Sequence, residues 1–73
     1  MTIVKGKYIG IKAVIPYGSY RQIIIENSHR YVFMVNWRRA EKELKGIHVG
    51  DLVRISYEDD YKFKIKKIKE GKK

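Results

Sequence analysis

Apolar and polar residues alternate along much of the chain with the two-residue period of β-strands. The clearest case is Tyr61 to Lys66, with the sequence YKFKIK, in which every second residue is apolar or aromatic. Tyr20 to Glu26 contains three consecutive isoleucines, and Leu52 to Tyr57 is a further run rich in β-branched and aromatic residues. These three segments are predicted to be strands.

The opening segment, from Thr2 to Ile15, is predicted to be one long strand. Gly6 and Gly10 interrupt it, and glycine inside a strand usually marks a β-bulge or a sharp coil. A turn is predicted at Pro16-Tyr17-Gly18-Ser19, because proline presets one backbone angle and glycine adds freedom. Apolar residues after the first glycine fall on one parity of the strand: Ile9, Ile11, Ala13 and Ile15.

A third internal strand is predicted from Arg30 to Trp37, joined to the second by a tight connection at Asn27-Ser28. Its sequence, RYVFMVNW, is apolar on both faces, so the pattern leaves two arrangements open. In one, Val32 and Met34 lie in the core and the aromatic residues face a ligand. In the other, the aromatic residues form the core.

The pattern then changes to that of a short helix, predicted from Arg38 to Lys45. The segment is rich in good helix formers and contains no glycine, proline or β-branched residue. Asn36 is a plausible N-cap, and Gly46 is well placed to end the helix. Ala40 and Leu44 are four residues apart and give the helix a narrow apolar stripe.

The order strand, strand, strand, helix, strand, strand predicts a mainly β fold. The stretch LKGIHVGDLVRI, from Leu44 to Ile55, resembles the helix end, Gly-Asp and fourth strand of OB-fold nucleic-acid-binding proteins. This resemblance implies a small five-stranded barrel with one helix between strands three and four. An SH3-like barrel, which also places Gly-Asp before an apolar strand, is the alternative. The barrel is predicted to occupy residues 1–68 as one domain, followed by a basic and frayed tail at 69–73.

Composition indicates what kind of molecule this barrel would be. Seventeen Lys and Arg residues oppose eight Asp and Glu residues in 73, giving a formal net charge of +9. There is no cysteine, which excludes disulfides and thiolate metal sites. No apolar stretch reaches the roughly 18 residues of a membrane span, so we expect a soluble, cytoplasmic protein. Few amides and many charges fit a thermophilic source or an AT-rich genome.

An excess of positive charge on so small a surface attracts polyanions, of which nucleic acid is the most common. We therefore expect a nucleic-acid-binding protein of low sequence specificity, with single-stranded DNA or RNA favoured as its partner. Basic side chains would bind phosphates and aromatic rings would stack on bases. In OB-folds the face of strands two and three commonly holds the single strand. The predicted binding residues are Lys5, Lys7, Tyr8, Lys12, Tyr20, Arg21, Gln22, Arg30, Tyr31, Phe33, Arg38, Arg39, Arg54, Lys62, Lys64 and Lys66.

Two groups within this set carry specific expectations. Arg38 and Arg39 could clamp one phosphate together, or Arg39 could simply pair with Glu43 four residues on. Lys62, Lys64 and Lys66 are expected to share one face of the last strand.

Other functions find less support in the sequence. Glu58-Asp59-Asp60 fits a turn better than a metal site, and His29 and His48 lack ligand spacing. No nucleophile–base motif or phosphate-binding loop is visible, so we expect neither an enzyme nor a cofactor. The alternative function is a protein-interaction module, or a subunit of a small assembly or ribonucleoprotein. In that case the apolar third strand could form an interface between copies of the chain, as in a homo-oligomer.

Overall fold

The computed structural model describes residues 1–14 and 18–68, which form one five-stranded antiparallel sheet and one short helix. The predicted tail at 69–73, together with Ile15, Pro16 and Tyr17, lies outside the described residues. The elements are β1 (Thr2–Ala13), β2 (Tyr20–Glu26), β3 (Arg30–Asn36), α1 (Trp37–Glu43), β4 (Leu52–Tyr57) and β5 (Phe63–Lys67).

The strands are arranged in the order β3-β2-β1-β4-β5, and every neighbouring pair is antiparallel. The predicted mainly β class and the helix between the third and fourth strands are therefore confirmed. Within the described residues no ladder joins β3 to β5, so the sheet is not closed and the predicted barrel is not confirmed. Two hydrogen bonds link β3 to the end of β4 and the turn that follows it. The Asn36 N–H donates to the Asp60 carbonyl at 2.9 Å, and the Tyr57 hydroxyl donates to the Met34 carbonyl at 2.8 Å.

The hydrophobic core lies on one face of the sheet, and α1 covers part of it. The helix packs against β2, β3 and β5, and Ala40 is its fully buried residue. Burying these aliphatic and aromatic side chains is the main favourable contribution to folding in so small a domain. The core consists of Val4, Tyr8, Ile23, Ile25, Phe33, Val35, Ala40, Val53, Ile55, Phe63 and Ile65.

A bulge in β1 changes which residues of that strand face the core. The pairing passes from Tyr8 opposite Ile25 directly to Gly10 opposite Ile24, which leaves Ile9 without a partner. Gly10 has φ +153°, a conformation that favours glycine, and the predicted irregularity is confirmed there. The predicted apolar parity is only partly right, because Ile11 beyond the bulge is on the core side but remains 41% exposed.

The ends of the helix follow the sequence signals with small shifts in position. The Asn36 side-chain oxygen accepts hydrogen bonds from the N–H groups of Arg38 at 3.1 Å and Arg39 at 3.4 Å, so the predicted N-cap is confirmed. The helix begins at Trp37 and ends at Glu43 with Leu44 as its C-cap, slightly earlier than predicted. Gly46 follows with φ +83° and allows the chain to turn away.

Candidate nucleic-acid interface

The face of the sheet opposite the core carries a row of cations that crosses three strands. Lys5 of β1 is paired with Arg54 of β4, and Arg54 is paired with Lys66 of β5. Paired residues project from the same face of a sheet, and neighbouring strands are about 4.8 Å apart. The three side chains therefore emerge within roughly 10 Å of one another.

Two further lysines extend this row along the strands. Lys7 is two residues beyond Lys5 and Lys64 is two residues before Lys66, so both project from the same outer face. A shallow depression at one side is lined by Arg54, Ser56, Lys64 and Lys66. We call the following five residues, all exposed to solvent, the basic face: Lys5, Lys7, Arg54, Lys64 and Lys66.

The five residues of the basic face form no ion pairs in the described part of the chain. The ion pairs found there, such as Arg30 with Glu26 and Lys67 with Asp51, both at 3.5 Å, do not include any of its five residues. By register the nearest acid is Glu26, opposite Lys7, and Arg30 already engages its carboxylate. Like charges directly opposite each other destabilise a sheet, so this arrangement would be relieved by a bound anion.

A second group of predicted residues lies further along the same outer face. Lys12 is paired with Gln22, and Tyr20 follows on the same side of β2. Gly10 lies on this face between Lys7 and Lys12, and a methyl group added there would meet no atom within 4 Å. The outer side of β1 is therefore a line of lysines with an open stretch of backbone at its middle.

The predicted stacking role of the aromatic residues needs correction. Tyr8 is 6% exposed and Phe33 is 7% exposed, both in the core, and Tyr31 packs against that core. Of the two arrangements left open for the third strand, the one with aromatic residues inside is therefore right. The prediction that Tyr8 and Phe33 stack on bases is wrong because the protein covers nearly all of both side chains. Burial also raises the pKa of the Tyr8 hydroxyl.

Several predicted arginines are engaged by the protein itself. The Arg39 Nε donates to the Tyr61 carbonyl at 3.1 Å, and its guanidinium pairs with Glu43 at 3.5 Å, as the simpler interpretation expected. Arg38 instead lies 5.6 Å from the Trp37 ring centre, whereas Arg39 lies 5.9 Å from that of Phe63. The two side chains approach different rings, so the joint phosphate clamp predicted for them is not formed.

Lys62 is also placed differently from the prediction. It precedes β5 and belongs to the turn after β4, where its N–H donates to the Asp59 carboxylate at 2.7 Å. Tyr61 N–H donates to the same oxygen at 2.9 Å, and these bonds lower the pKa of Asp59. Lys64 and Lys66 therefore share the outer face of the strand, while Lys62 does not extend it.

Within residues 1–14 and 18–68, no three metal-ligating side chains come together.

Arg21 and Ser56 complete the description of the surface. The Arg21 Nη1 donates to the carbonyls of Gly18 at 2.8 Å and Tyr20 at 2.9 Å, which holds its guanidinium at the end of the sheet, on the helix side.

Ser56 lies in the depression of the basic face and was not among the predicted binding residues. The sequence did contain a signal for it, because Ser56 lies two residues after Arg54 in a predicted strand and therefore projects from the same face.

No protein-family model, curated protein or solved structure matches this chain. Among the residues that the structure describes, no helix has the length and apolar character needed to cross a membrane.

Proposed function

We propose that this protein binds nucleic acid with low sequence specificity through the basic face. The observation that carries the proposal is the unneutralised row Lys5–Arg54–Lys66, in which three cations face one another across adjacent strands. Because the three cations repel one another, a ligand with closely spaced negative charges would remove this repulsion and bind favourably.

Phosphates would be the groups recognised. Lysine and arginine side chains displace the counterions condensed on a nucleic acid, and this release drives binding without regard to sequence. The five residues of the basic face are all cations, which bind phosphates and can also donate to a guanine edge. Gln22, further along the sheet, is the predicted residue whose side chain could both donate to and accept from a base edge.

A single strand of DNA or RNA is the ligand that we favour. The outer-face lysines of β1 extend from Lys5 to Lys12, a distance of about 23 Å in an extended strand. Because sheets twist, a flexible single strand can follow this line more closely than a rigid duplex. The resemblance of the segment from Leu44 to Ile55 to OB-fold proteins supports the same ligand class.

The test compares two double variants with equal loss of charge. Lys5→Gln with Arg54→Gln removes two cations from the basic face, whereas Arg30→Gln with Lys67→Gln removes two that already have acidic partners. Fluorescence anisotropy of a labelled single-stranded oligonucleotide is measured for both across a salt series.

We expect the first variant to bind more weakly and its salt dependence to flatten by about 1.4, since each single-strand phosphate contact contributes about 0.7 to the slope of log K against log salt. The second variant should stay close to the wild type. Equal losses in both variants would show that total charge, and not this face, determines binding.

A second function, self-association or binding of another protein, is favoured by one observation. Val32 and Met34 on the edge strand β3 are 51% and 43% exposed, and both project from the outer face. Sedimentation velocity at low and high salt distinguishes the two functions, because an apolar interface persists in salt that abolishes phosphate binding.

A further inference from the structure

We propose that Trp37 is a base-stacking site, so that the strand held by the basic face places one of its nucleobases on the indole. This inference rests on the proposed function and adds a second contact on the helix side of the sheet. Trp37 is partly exposed, whereas the Tyr8 and Phe33 side chains are buried.

Trp37 is partly exposed, and its backbone position is fixed. The Trp37 backbone N–H donates to the Ser19 carbonyl at 2.9 Å, which joins the first turn of α1 to the start of β2. The side chain is a shared wall between two adjacent depressions. The first is also lined by Tyr8, Ile11 and Leu44, and Ile11 is well exposed for a residue on the core side. An aromatic wall beside apolar side chains suits a flat, largely apolar ligand group.

Positive charge surrounds this ring. The guanidinium of Arg21 lies over the ring at 6.0 Å from its centre, and that of Arg38 lies over it at 5.6 Å, so a stacked base takes the place of one of them. Neither arginine forms an ion pair with an acid in the described residues. Lys42 and Lys45 line the second depression. A ligand that brings both an aromatic plane and a negative charge matches these groups, and a nucleotide has both.

One acid, Glu41, lines both depressions. It lies one helical turn after Trp37, so its carboxylate can accept a hydrogen bond from a stacked base. It would repel a phosphate, which therefore lies closer to Arg21 or Arg38.

The site is connected to the basic face by the end of the sheet. Lys12 is paired with Gln22, and Ala13 with Arg21, on the two sides of the same β1–β2 pair. A strand that follows the lysines of β1 therefore reaches the edge where Arg21 and Trp37 lie.

Trp37 is the only tryptophan of the chain, so its fluorescence reports directly on this site. The experiment titrates the protein with a single-stranded DNA octamer and with an abasic octamer of equal charge. Binding is followed by anisotropy of a label on the oligonucleotide, and stacking by quenching of Trp37. We expect both oligomers to bind, and only the one with bases to quench the indole strongly.

Trp37→Ala and the control Tyr61→Ala, which removes an aromatic residue that is 57% exposed elsewhere, complete the test. We expect Trp37→Ala to lower affinity for the intact octamer about tenfold and to leave the abasic octamer unaffected, since one stacked base is lost. Far-UV circular dichroism of the variant, compared with that of the wild type, checks that it is folded.

Binding of the intact octamer without quenching, or equal quenching by both oligomers, would overturn the stacking site while leaving the proposed function intact. If neither oligomer binds at low salt, the proposed function itself fails.

Discussion

Gly6 shows how a single position fixes the contact between two strands. A Cβ atom at this position would lie 2.6 Å from the carbonyl oxygen of Glu26 and 3.0 Å from Cγ2 of Ile25. Real Cβ atoms do not approach a backbone so closely, so any side chain here would push β1 and β2 apart. The glycine that seemed to weaken the predicted strand is instead required for its packing.

We expect Gly6→Ala to lower the free energy of unfolding by about 1–3 kcal/mol, the usual cost of overpacking a rigid site. Gly18→Ala is the matched control, because a methyl group there meets no atom within 4 Å. Urea unfolding followed by circular dichroism gives both values. Equal stability of the two variants would contradict the close approach.

Asn36 is the other residue with a clear energetic role, as the buried cap of α1. Asn36→Ala should lower the free energy of unfolding by about 1 kcal/mol, because the Arg38 and Arg39 N–H groups lose their acceptor. Asn36→Asp keeps an acceptor oxygen and should retain most of that stability. An Ala variant as stable as the wild type in urea would show that the cap contributes nothing.

At the scale of elements, the alternating pattern predicted the five strands and failed where both parities looked alike. In β3 the residues of both faces are apolar, so the pattern could not determine whether Phe33 or Met34 points inward. In β1 the bulge at Gly10 shifts the parity, and a bulge's exact register depends on the partner strand. The sequence predicted that the cations lie at alternating positions within each strand. It could not predict that they form one row across the strands, because that depends on the β1–β4 and β4–β5 registers.

The turn before β4 gives a prediction about pH. The His48 backbone N–H donates to the Asp51 carboxylate at 2.8 Å, and Lys67 Nζ lies 3.5 Å from the same oxygen. The hydrogen bond from His48, together with the positive charge of Lys67, lowers the pKa of Asp51. A pKa that is lower in the folded state stabilises the fold above the unfolded-state pKa, and this stability is lost as pH falls through the folded pKa.

Asp51→Asn should therefore reduce stability at neutral pH and make the decline on acidification shallower than in the wild type. Thermal unfolding measured from about pH 6 down to about pH 2 tests this expectation. Parallel curves for the two proteins would show that Asp51 makes no pH-dependent contribution.

For the molecule as a whole, the net charge of +9 acts against the compact state. Salt screens repulsion between exposed charges, so the Tm of the wild type should rise between low and moderate sodium chloride concentrations. In Lys5→Gln with Arg54→Gln this rise should be smaller than in Arg30→Gln with Lys67→Gln, since the first pair removes repulsion and the second removes ion pairs. A Tm that falls with salt in the wild type would mean that attractive pairs dominate the surface.

Binding of phosphates to one side of the sheet can be mapped residue by residue from backbone amide chemical shifts. The isotope-labelled protein is titrated with a short single-stranded oligonucleotide at low salt. We expect the largest changes at the amides of Lys5, Lys7, Arg54, Lys64 and Lys66, and we expect these changes to disappear at high salt. Changes confined to Val32, Met34 and the β3 edge, or no changes at any salt concentration, would contradict this expectation.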